Sequence, residues 1–249
     1  MLTLIGLGLY DEKDLSLRGI DAAKNADEVF IELYTSKWHG NLKNLEKIVG
    51  KEIKILQRKD LEENSAQIVD RAKVKDIAIF VPGDPLIATV HSSLLQQAKK
   101  NGVKTKVIHN SSIISAICET GLHIYRFGSC VTIPFPDRTK GKLPESIYEI
   151  IKINRSHGLH TLCLLDILEQ RAMDVKEAIE ILLNLEDQRK EGIFKKDTEI
   201  VVFAKAGSEN PIIDYAKVED ILKKKYEIPA VIIIPGILHF TEKEFLSKI

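Results

Sequence analysis

One short stretch of the sequence joins an apolar run to a helical pattern through a rigid turn. Residues 77–81 have the length and composition of a buried strand, and residues 88–100 have the pattern of a helix. Between them lies Pro82-Gly83-Asp84-Pro85. A strand, a tight turn and a helix in this order are typical of an open α/β sheet, which binds small ligands at the carboxyl ends of its strands. The sequence therefore predicts an α/β fold with a ligand-facing turn.

A second turn of this kind follows the first apolar run, residues 2–5. Gly6 and Gly8 form half of a dinucleotide-binding fingerprint, but Asp11 occupies the position of the third glycine. The carboxylates of Glu12 and Asp14 would repel a phosphate group. Two interpretations stay open here, a phosphate-binding turn, which these carboxylates disfavour, and a simple tight turn.

Strand-like and helical runs alternate along nearly the whole chain. The predicted strands are 2–7, 28–33, 53–56, 77–81, 105–109, 127–133, 161–166, 199–204 and 231–234. Alternation with helices indicates parallel or mixed sheets covered by helices. Because the strands are more widely spaced in the second half, we expect two α/β domains, residues 1–110 and 111–249.

The composition excludes several classes of function. Of the 249 residues, 44% are apolar, which is enough for a substantial core, and the 36 basic side chains balance the 36 acidic ones. This balance gives no basic footprint for nucleic acid, so we expect no direct binding of nucleic acid. No apolar stretch approaches the roughly 20 residues of a membrane span. Without a signal peptide before the first strand, we expect a soluble, cytoplasmic protein that has no membrane partner.

The cysteines and histidines do not form a metal-binding motif. Cys118, Cys130 and Cys163 are widely spaced among apolar residues, and the sequence contains neither a CxxC pair nor an HExxH motif. We therefore expect buried, reduced thiols and no metal site.

Polar residues follow two of the predicted strands. Asp84 can accept hydrogen bonds from the hydroxyl or ammonium groups of a ligand, and Gly83 lets a ligand approach the backbone. The same turn serves equally well as a stiff structural element with a solvated carboxylate. Ser111 and Ser112 follow strand 105–109 and open a helix, so we expect them to cap this helix and to offer their amides to a ligand.

Several segments resemble the tetrapyrrole-methylase-like class of S-adenosylmethionine (SAM) methyltransferases and, within it, the archaeal diphthine synthase family. They are GLGLYD at 6–11, GDPLIATVH at 83–91, TGLHIYRFG at 120–128, GLHTL at 158–162, LDI at 165–167, AKAGS at 204–208 and PGILH at 235–239. The first two are shared by the whole class, whereas the third and the last are much more specific. Together they extend over the whole chain.

The resemblance implies a fold and an activity. The fold would be α/β, with two α/β domains of the tetrapyrrole methylase type and the cofactor cleft between them. The activity would be the SAM-dependent trimethylation of the amino group of a 3-amino-3-carboxypropyl-histidine on translation elongation factor 2, in diphthamide biosynthesis. It would release S-adenosylhomocysteine and use no metal. The resemblance also implies a homodimer.

The resemblance carries over a set of SAM-binding residues, but no catalytic one. The matching positions are Leu9, Asp84, Ile87, Ser112, Ile113, Leu165, Ala204 and Ala230. The chain departs from the family at Ile114, where an aromatic residue is common, and Ala230 occupies a variable position. The sequence identifies no general base.

Other residues are candidates for contact with the substrate. Tyr10, His91, His123 and His239 either line the substrate side or serve the structure. The irregular segment 134–142 carries three basic residues, Arg138, Lys140 and Lys142. It is either part of a docking surface for the elongation factor or an ordinary solvated connector.

Two alternatives to this function remain open. One is another methyltransferase of the same class that acts on a tetrapyrrole or on ribosomal RNA. The other is a non-catalytic regulatory module that binds SAM or a nucleotide, which would bind its ligand without methyl transfer.

Overall fold

The computed structural model describes residues 1–168 and 171–249 of the chain. These residues divide into two compact units, Met1–Ala116 and Ile117–Ile249. Residues 111–116 group with the first unit, and Asn110 directly before them is hydrogen-bonded to the carbonyl oxygens of Gly6 and Asp14. The division into domains 1–110 and 111–249 stays a prediction.

The first unit contains an open parallel sheet. Its strands are β1 (Leu2–Gly6), β2 (Glu28–Glu32), β3 (Ile53–Leu56), β4 (Ile77–Val81) and β5 (Thr105–Ile108). They lie in the order β3-β2-β4-β1-β5, and every neighbouring pair is parallel. The carboxyl ends of the strands therefore share one edge of the sheet, the edge at which open α/β folds bind ligands.

Helices pack on both faces of this sheet. They are α1 (Leu17–Asn25), α2 (Leu42–Val49), α3 (Arg58–Glu62), α4 (Ser65–Ala72), α5 (His91–Lys100) and α6 (Ile113–Ala116). Along β4, Ile77 and Ile79 belong to one apolar cluster, and Ala78 and Phe80 belong to another. Burial on both faces explains why β4 is a continuous apolar run in the sequence.

Local signals set the ends of these helices. Ser16 caps α1, because its Oγ accepts the N–H of Gly19 at 3.1 Å. Gly50 ends α2 in the left-handed conformation, with φ of 72°. Helix α5 begins at His91, three residues later than the pattern predicts, because Ala88 has a left-handed φ of 55° that a helix cannot contain.

The described residues of the second unit form a mixed sheet. Its strands are β6 (Val131–Ile133), β7 (Thr161–Leu165), β8 (Ile167–Leu168), β9 (Arg171–Ala172), β10 (Glu199–Ala204), β11 (Ile212–Lys217) and β12 (Ala230–Ile234). Five of the described strands lie in the order β11-β10-β12-β7-β6, in which the pair β6–β7 is parallel and the others are antiparallel. Strands β8 and β9 pair with each other.

The described α-helices of this unit are α7 (Glu145–Ser156), α8 (Val175–Arg189), α9 (Val218–Ile221) and α10 (Phe240–Leu246). A reciprocal capping box opens α8, where Asp174 accepts the N–H of Glu177 and Glu177 accepts that of Asp174. At α10 the cap is His239, whose ring accepts the Thr241 N–H.

The structure corrects three further expectations. Strand β11 was not predicted, because its half-buried residues include polar ones and lack the apolar run of a central strand. Strand β6 covers only three residues of the predicted 127–133. Of the three cysteines only Cys163 is buried. Within the ranges that the structure describes, no helix is both long enough and apolar enough to cross a bilayer.

Candidate functional site

Two glycine-containing turns meet at the carboxyl edge of the first sheet. The N–H of Gly83 donates to the carbonyl oxygen of Gly8 at 2.8 Å, and the N–H of Gly8 donates back to Gly83 at 3.2 Å. Gly6 must be a glycine, because a Cβ there would lie 2.6 Å from the carbonyl oxygen of Gly83. The turns after β1 and β4, which the sequence singled out separately, therefore form one structure.

Asp84 holds this structure together through its side chain. Asp84 is only 7% exposed to solvent. Oδ1 accepts the N–H of Leu86 at 3.0 Å, and Oδ2 accepts the N–H of Asn110 at 3.2 Å and Nδ1–H of His109 at 2.8 Å. A carboxylate offers about four acceptor positions, so most of this one's capacity is used within the protein. Its first role is to organise the turns.

Asn110 joins the third turn, after β5, to the other two. Its side-chain amide donates to the carbonyl oxygens of Gly6 and Asp14, each at 3.0 Å. Neither His109 nor Asn110 was predicted from the sequence as a site residue. The available signal was their position at the carboxyl end of the predicted strand 105–109, comparable to that of Asp84 after strand 77–81.

The hydrogen-bonding groups of the first turn fit a ligand without phosphate. The amide N–H of Tyr10 is engaged within the protein, where it donates to Oδ2 of Asp14 at 2.7 Å. The predicted contacts Leu9, Ile87 and Ile113 bring apolar side chains to these turns. Apolar groups with acidic ones nearby suit SAM, which combines a neutral nucleoside with a positively charged sulfonium.

Five of the predicted SAM-binding residues belong to these three turns. Leu9 lies in the first turn and Ile87 in the second, where its side chain is exposed. Ser112 and Ile113 open α6, and the Oγ of Ser112 accepts the N–H of Ile114 at 3.2 Å, as expected of a cap. Ser112 also lies next to Gly83, since a Cβ on Gly83 would be 3.9 Å from that of Ser112.

The other three predicted residues come together in the second unit. Ala204 ends β10 and Ala230 begins β12, and the two are register partners. Leu165 ends the next strand, β7, one position beyond the pair Leu164–Val231. The three residues thus lie at the same end of three adjacent strands. Their role toward SAM stays a prediction, as it does for the five residues of the first unit.

His91 supports the second turn from inside the first unit. It is buried, its Nδ1 donates to the carbonyl oxygen of Pro85 at 3.2 Å, and its Nε2 lies 3.4 Å from the hydroxyl of Tyr34. Burial lowers the pKa of His91, although the bond to Pro85 opposes this shift. A neutral, buried imidazole with both nitrogens engaged indicates a structural role.

Tyr10 stacks on His39, with ring centroids 4.7 Å apart.

Buried polar groups tie together two of the family-specific segments in the second unit. Glu242 accepts the backbone N–H groups of His123 at 2.8 Å and His239 at 2.7 Å, and Nε2–H of His160 at 3.1 Å. His160 Nδ1 accepts the N–H of Gly236 at 2.9 Å, which fixes the proton on Nε2. His160 is fully buried.

The charges of this buried pair follow from its contacts. Burial lowers the pKa of His160, against the opposing effect of Glu242. Burial alone would raise the pKa of Glu242, but the hydrogen bonds from His123, His239 and His160 hold it below its usual range. An ionised Glu242 therefore faces a neutral His160.

The segment 134–142 is anchored through one of its three basic residues. Nε of Arg138 lies 2.7 Å from Oδ2 of Asp166, and its guanidinium also donates to the carbonyl oxygen of Ile167. Lys140 and Lys142 are exposed. Arg138 therefore anchors the segment, and Lys140 and Lys142 present positive charges to solvent.

A family model described as Tetrapyrrole (Corrin/Porphyrin) Methylases matches residues 1–222. A diphthine synthase of Methanocaldococcus jannaschii is 44% identical to the chain, with 99% of the chain and 98% of that protein covered. A diphthine synthase of Methanococcus maripaludis is 42% identical over the same shares.

Solved structures agree with these sequence relatives. A crystal structure of diphthine synthase has a TM-score of 0.90 and 39% identity, and covers 99% of this chain and 94% of its own. A putative diphthine synthase from Entamoeba histolytica has a TM-score of 0.89 and 36% identity, with 100% and 97% covered. The predicted α/β fold of the tetrapyrrole methylase type is thereby confirmed. The chain belongs to the diphthine synthase family, a family of SAM-dependent methyltransferases among the tetrapyrrole methylases.

Proposed function

We propose that this chain transfers methyl groups from SAM to the amino group of the 3-amino-3-carboxypropyl-histidine of translation elongation factor 2. Three transfers to one nitrogen give the trimethylammonium product, with S-adenosylhomocysteine released each time. The observation that supports this most is the full-length similarity to diphthine synthases. The same similarity disfavours a tetrapyrrole, ribosomal RNA or a purely regulatory role.

We propose that the cofactor binds at the joined turns of the first unit. Leu9, Ile87 and Ile113 would contact it through apolar groups and backbone amides, and Ser112 through the start of α6. Asp84 would act mainly by fixing the turns, since its carboxylate already accepts three hydrogen bonds. Leu165, Ala204 and Ala230 are the proposed contacts from the second unit.

The cofactor site has a direct test in calorimetry of S-adenosylhomocysteine binding. Ile113→Glu would place a carboxylate among apolar contacts, so we expect the Kd for S-adenosylhomocysteine to rise at least about tenfold. Ile153→Glu is the matched control, because Ile153 is exposed on α7 and belongs to none of the three turns. Equal affinity of both variants would exclude Ile113 from the site.

The elongation factor needs a docking surface, and we propose that Lys140 and Lys142 contribute to it. Both are exposed, while Arg138 is held by Asp166. The double variant Lys140→Ala/Lys142→Ala should raise KM for the factor several-fold with kcat unchanged, because rim charges act mainly on encounter. Lys99→Ala/Lys100→Ala, at the exposed end of α5, is the control. An unchanged KM for the first variant would contradict the docking role.

We also propose that the enzyme works as a homodimer in the cytoplasm. Analytical ultracentrifugation at micromolar concentration tests the first part, and a monomer there would contradict it.

The function itself is tested by incubation with SAM labelled in its methyl group. The acceptor is elongation factor 2 that already carries the 3-amino-3-carboxypropyl group, and the unmodified factor is the control. Label on the modified factor alone supports the proposal. Label on neither factor, despite measured binding of SAM, would contradict it.

A further inference from the structure

One ring nitrogen of His109 is hydrogen-bonded to Asp84, and the other faces outward, where it can accept a proton. Its Nδ1 lies 2.8 Å from Oδ2 of Asp84, and the side chain of His109 is 67% exposed while that of Asp84 is 8% exposed. A carboxylate only accepts hydrogen bonds. The proton of the neutral imidazole is therefore on Nδ1, and Nε2 carries the lone pair of a base.

The hydrogen bonds of Asp84 fix the orientation of the His109 ring. Asp84 cannot turn away easily, because its carboxylate also accepts the backbone N–H groups of Leu86 and Asn110. A buried carboxylate that orients an imidazole is the arrangement by which hydrolases set the tautomer of a catalytic histidine. Asp84 is the charged side chain that contacts His109 within the described turns.

The other candidates near the three turns are less suited to accept a proton. His91 is buried and uses both of its nitrogens within the protein. The carboxylate of Asp14 accepts the N–H of Tyr10, and most of the acceptor capacity of Asp84 is taken. His109 alone among these four combines a defined lone pair with exposure to solvent.

We infer that Nε2 of His109 accepts the proton that the substrate ammonium loses before each methyl transfer, an inference that rests on the proposed function. The N–H bond of the ammonium breaks, its electron pair stays on the nitrogen, and the proton binds Nε2. Bound SAM supplies the methyl group to that pair, and the electrons of its carbon–sulfur bond stay on sulfur. The imidazolium of His109 then returns the proton to water through its exposed face.

Two substitutions separate proton acceptance from positioning. His109→Asn keeps a donor at the place of Nδ1 and deletes Nε2, whereas His109→Ala removes both. His157→Asn is the control, since His157 is an exposed histidine of the second unit that the site does not include. For His109→Asn we expect a Kd for S-adenosylhomocysteine within about twofold of wild type and a kcat about 100-fold lower, the usual size of a general-base contribution.

Two further measurements do not depend on turnover alone. Long-range ¹H–¹⁵N NMR of the wild type should show the neutral His109 ring protonated at Nδ1, with its signals assigned by their loss in His109→Asn. The dependence of kcat on pH should differ between wild type and His109→Asn, because in the variant the substrate ammonium must lose its proton to solvent. Added imidazole should restore activity to His109→Ala.

The outcomes separate this inference from the proposed function. A wild type that methylates the modified factor, together with a His109→Asn variant of equal kcat and equal pH profile, overturns the inference and leaves the function intact. A neutral ring protonated at Nε2 overturns it as well. A wild type that binds SAM but labels no modified factor overturns the proposed function, and the inference falls with it.

Discussion

The side chains of His160 and Glu242 meet inside the second unit, where Nε2–H of the histidine donates to Oε1 of the glutamate at 3.1 Å. Neither side chain is exposed to solvent. Through this pair, Glu242 at the start of α10 is connected to the segments around His123, His160 and Gly236. Segments that are far apart in the sequence therefore depend on one buried carboxylate.

Removal of that carboxylate should destabilise the protein strongly. Glu242→Ala leaves the N–H groups of His123 and His239 and the Nε2–H of His160 without their acceptor. We expect a loss of about 3 kcal/mol in the free energy of unfolding measured with urea. Glu244→Ala, exposed on the same helix, should cost less than about 1 kcal/mol. Equal effects of the two substitutions would mean that the buried network contributes little.

Acid should weaken the second unit through Glu186. Burial alone would raise the pKa of Glu186, but hydrogen bonds from the N–H groups of Phe194, Gly192 and Ile193 and from the hydroxyl of Tyr148 hold it below 4.5. As the pH falls, Glu186 therefore takes up its proton in the unfolded chain before it does so in the folded protein. The stabilisation that Glu186 gives above pH 4.5 is lost as the pH falls through its lower pKa in the folded state.

Glu186→Gln isolates this contribution. We expect the variant to be less stable than wild type at pH 7, because an amide accepts fewer hydrogen bonds than a carboxylate. The difference should shrink as the pH falls below 4.5, which urea unfolding at several pH values can measure. Glu180→Gln, exposed on the same helix α8, should follow the wild-type curve throughout. A difference between Glu186→Gln and wild type that stays constant with pH would refute the assignment.

Glu32 should have the opposite effect on stability. Its carboxyl group is buried at the end of β2, and burial raises its pKa to about 7, although hydrogen bonds from Thr35 and Tyr34 oppose the shift. The unfolded chain loses this proton near pH 4.5. The folded state is therefore penalised progressively as the pH rises from 4.5 through 7, by up to about 3 kcal/mol.

Glu32→Gln removes this titration and keeps the shape of the side chain. The variant should match wild type near pH 4.5 and exceed its stability above pH 7. Thermal or urea unfolding of both proteins over this range provides the measurement. Parallel curves would show that Glu32 does not titrate in this window.

Separation of the joined turns should abolish cofactor binding. In Gly6→Ala the new Cβ would lie 2.6 Å from the carbonyl oxygen of Gly83 and 2.7 Å from Cβ of Asn110, so the turns must move apart. We expect S-adenosylhomocysteine to bind at least about 100-fold more weakly, since backbone placement is what the site offers. Gly50→Ala has open space around its Cβ and should cost about 1 kcal/mol of stability without changing the Kd. A Kd of Gly6→Ala close to that of wild type would contradict the proposed site.

The sequence predicted the elements that depend on local pattern. The apolar run of β4 and the turn at Asp84 follow from composition and spacing, and the alternation of strands and helices predicted parallel or mixed sheets. The contacts of His109 and Asn110 were not predictable in this way, because they join β4 and β5, which are neighbours of β1 on opposite sides. The buried pair His160–Glu242 was missed because its members are 82 positions apart and neither lies in an apolar run.

The resemblance, rather than the pattern, supplied the set of SAM-binding residues. Leu165, Ala204 and Ala230 carry no chemical signal of their own, since apolar residues at strand ends occur in any sheet. Their shared position at the ends of adjacent strands became visible only with the register of β10, β12 and β7. Strand β11 was not predicted, because a half-buried strand has only a weak hydrophobic pattern in the sequence.

The most direct test of the account is the mass of the elongation factor 2 peptide that carries the modified histidine. The factor with its 3-amino-3-carboxypropyl group would be incubated with this enzyme and SAM, digested and measured over time. We predict a gain of three methyl groups on that amino nitrogen, none without SAM, and none on the peptide from the unmodified factor. Methyl groups on another residue, or an unchanged peptide in the presence of SAM-bound enzyme, would contradict the account.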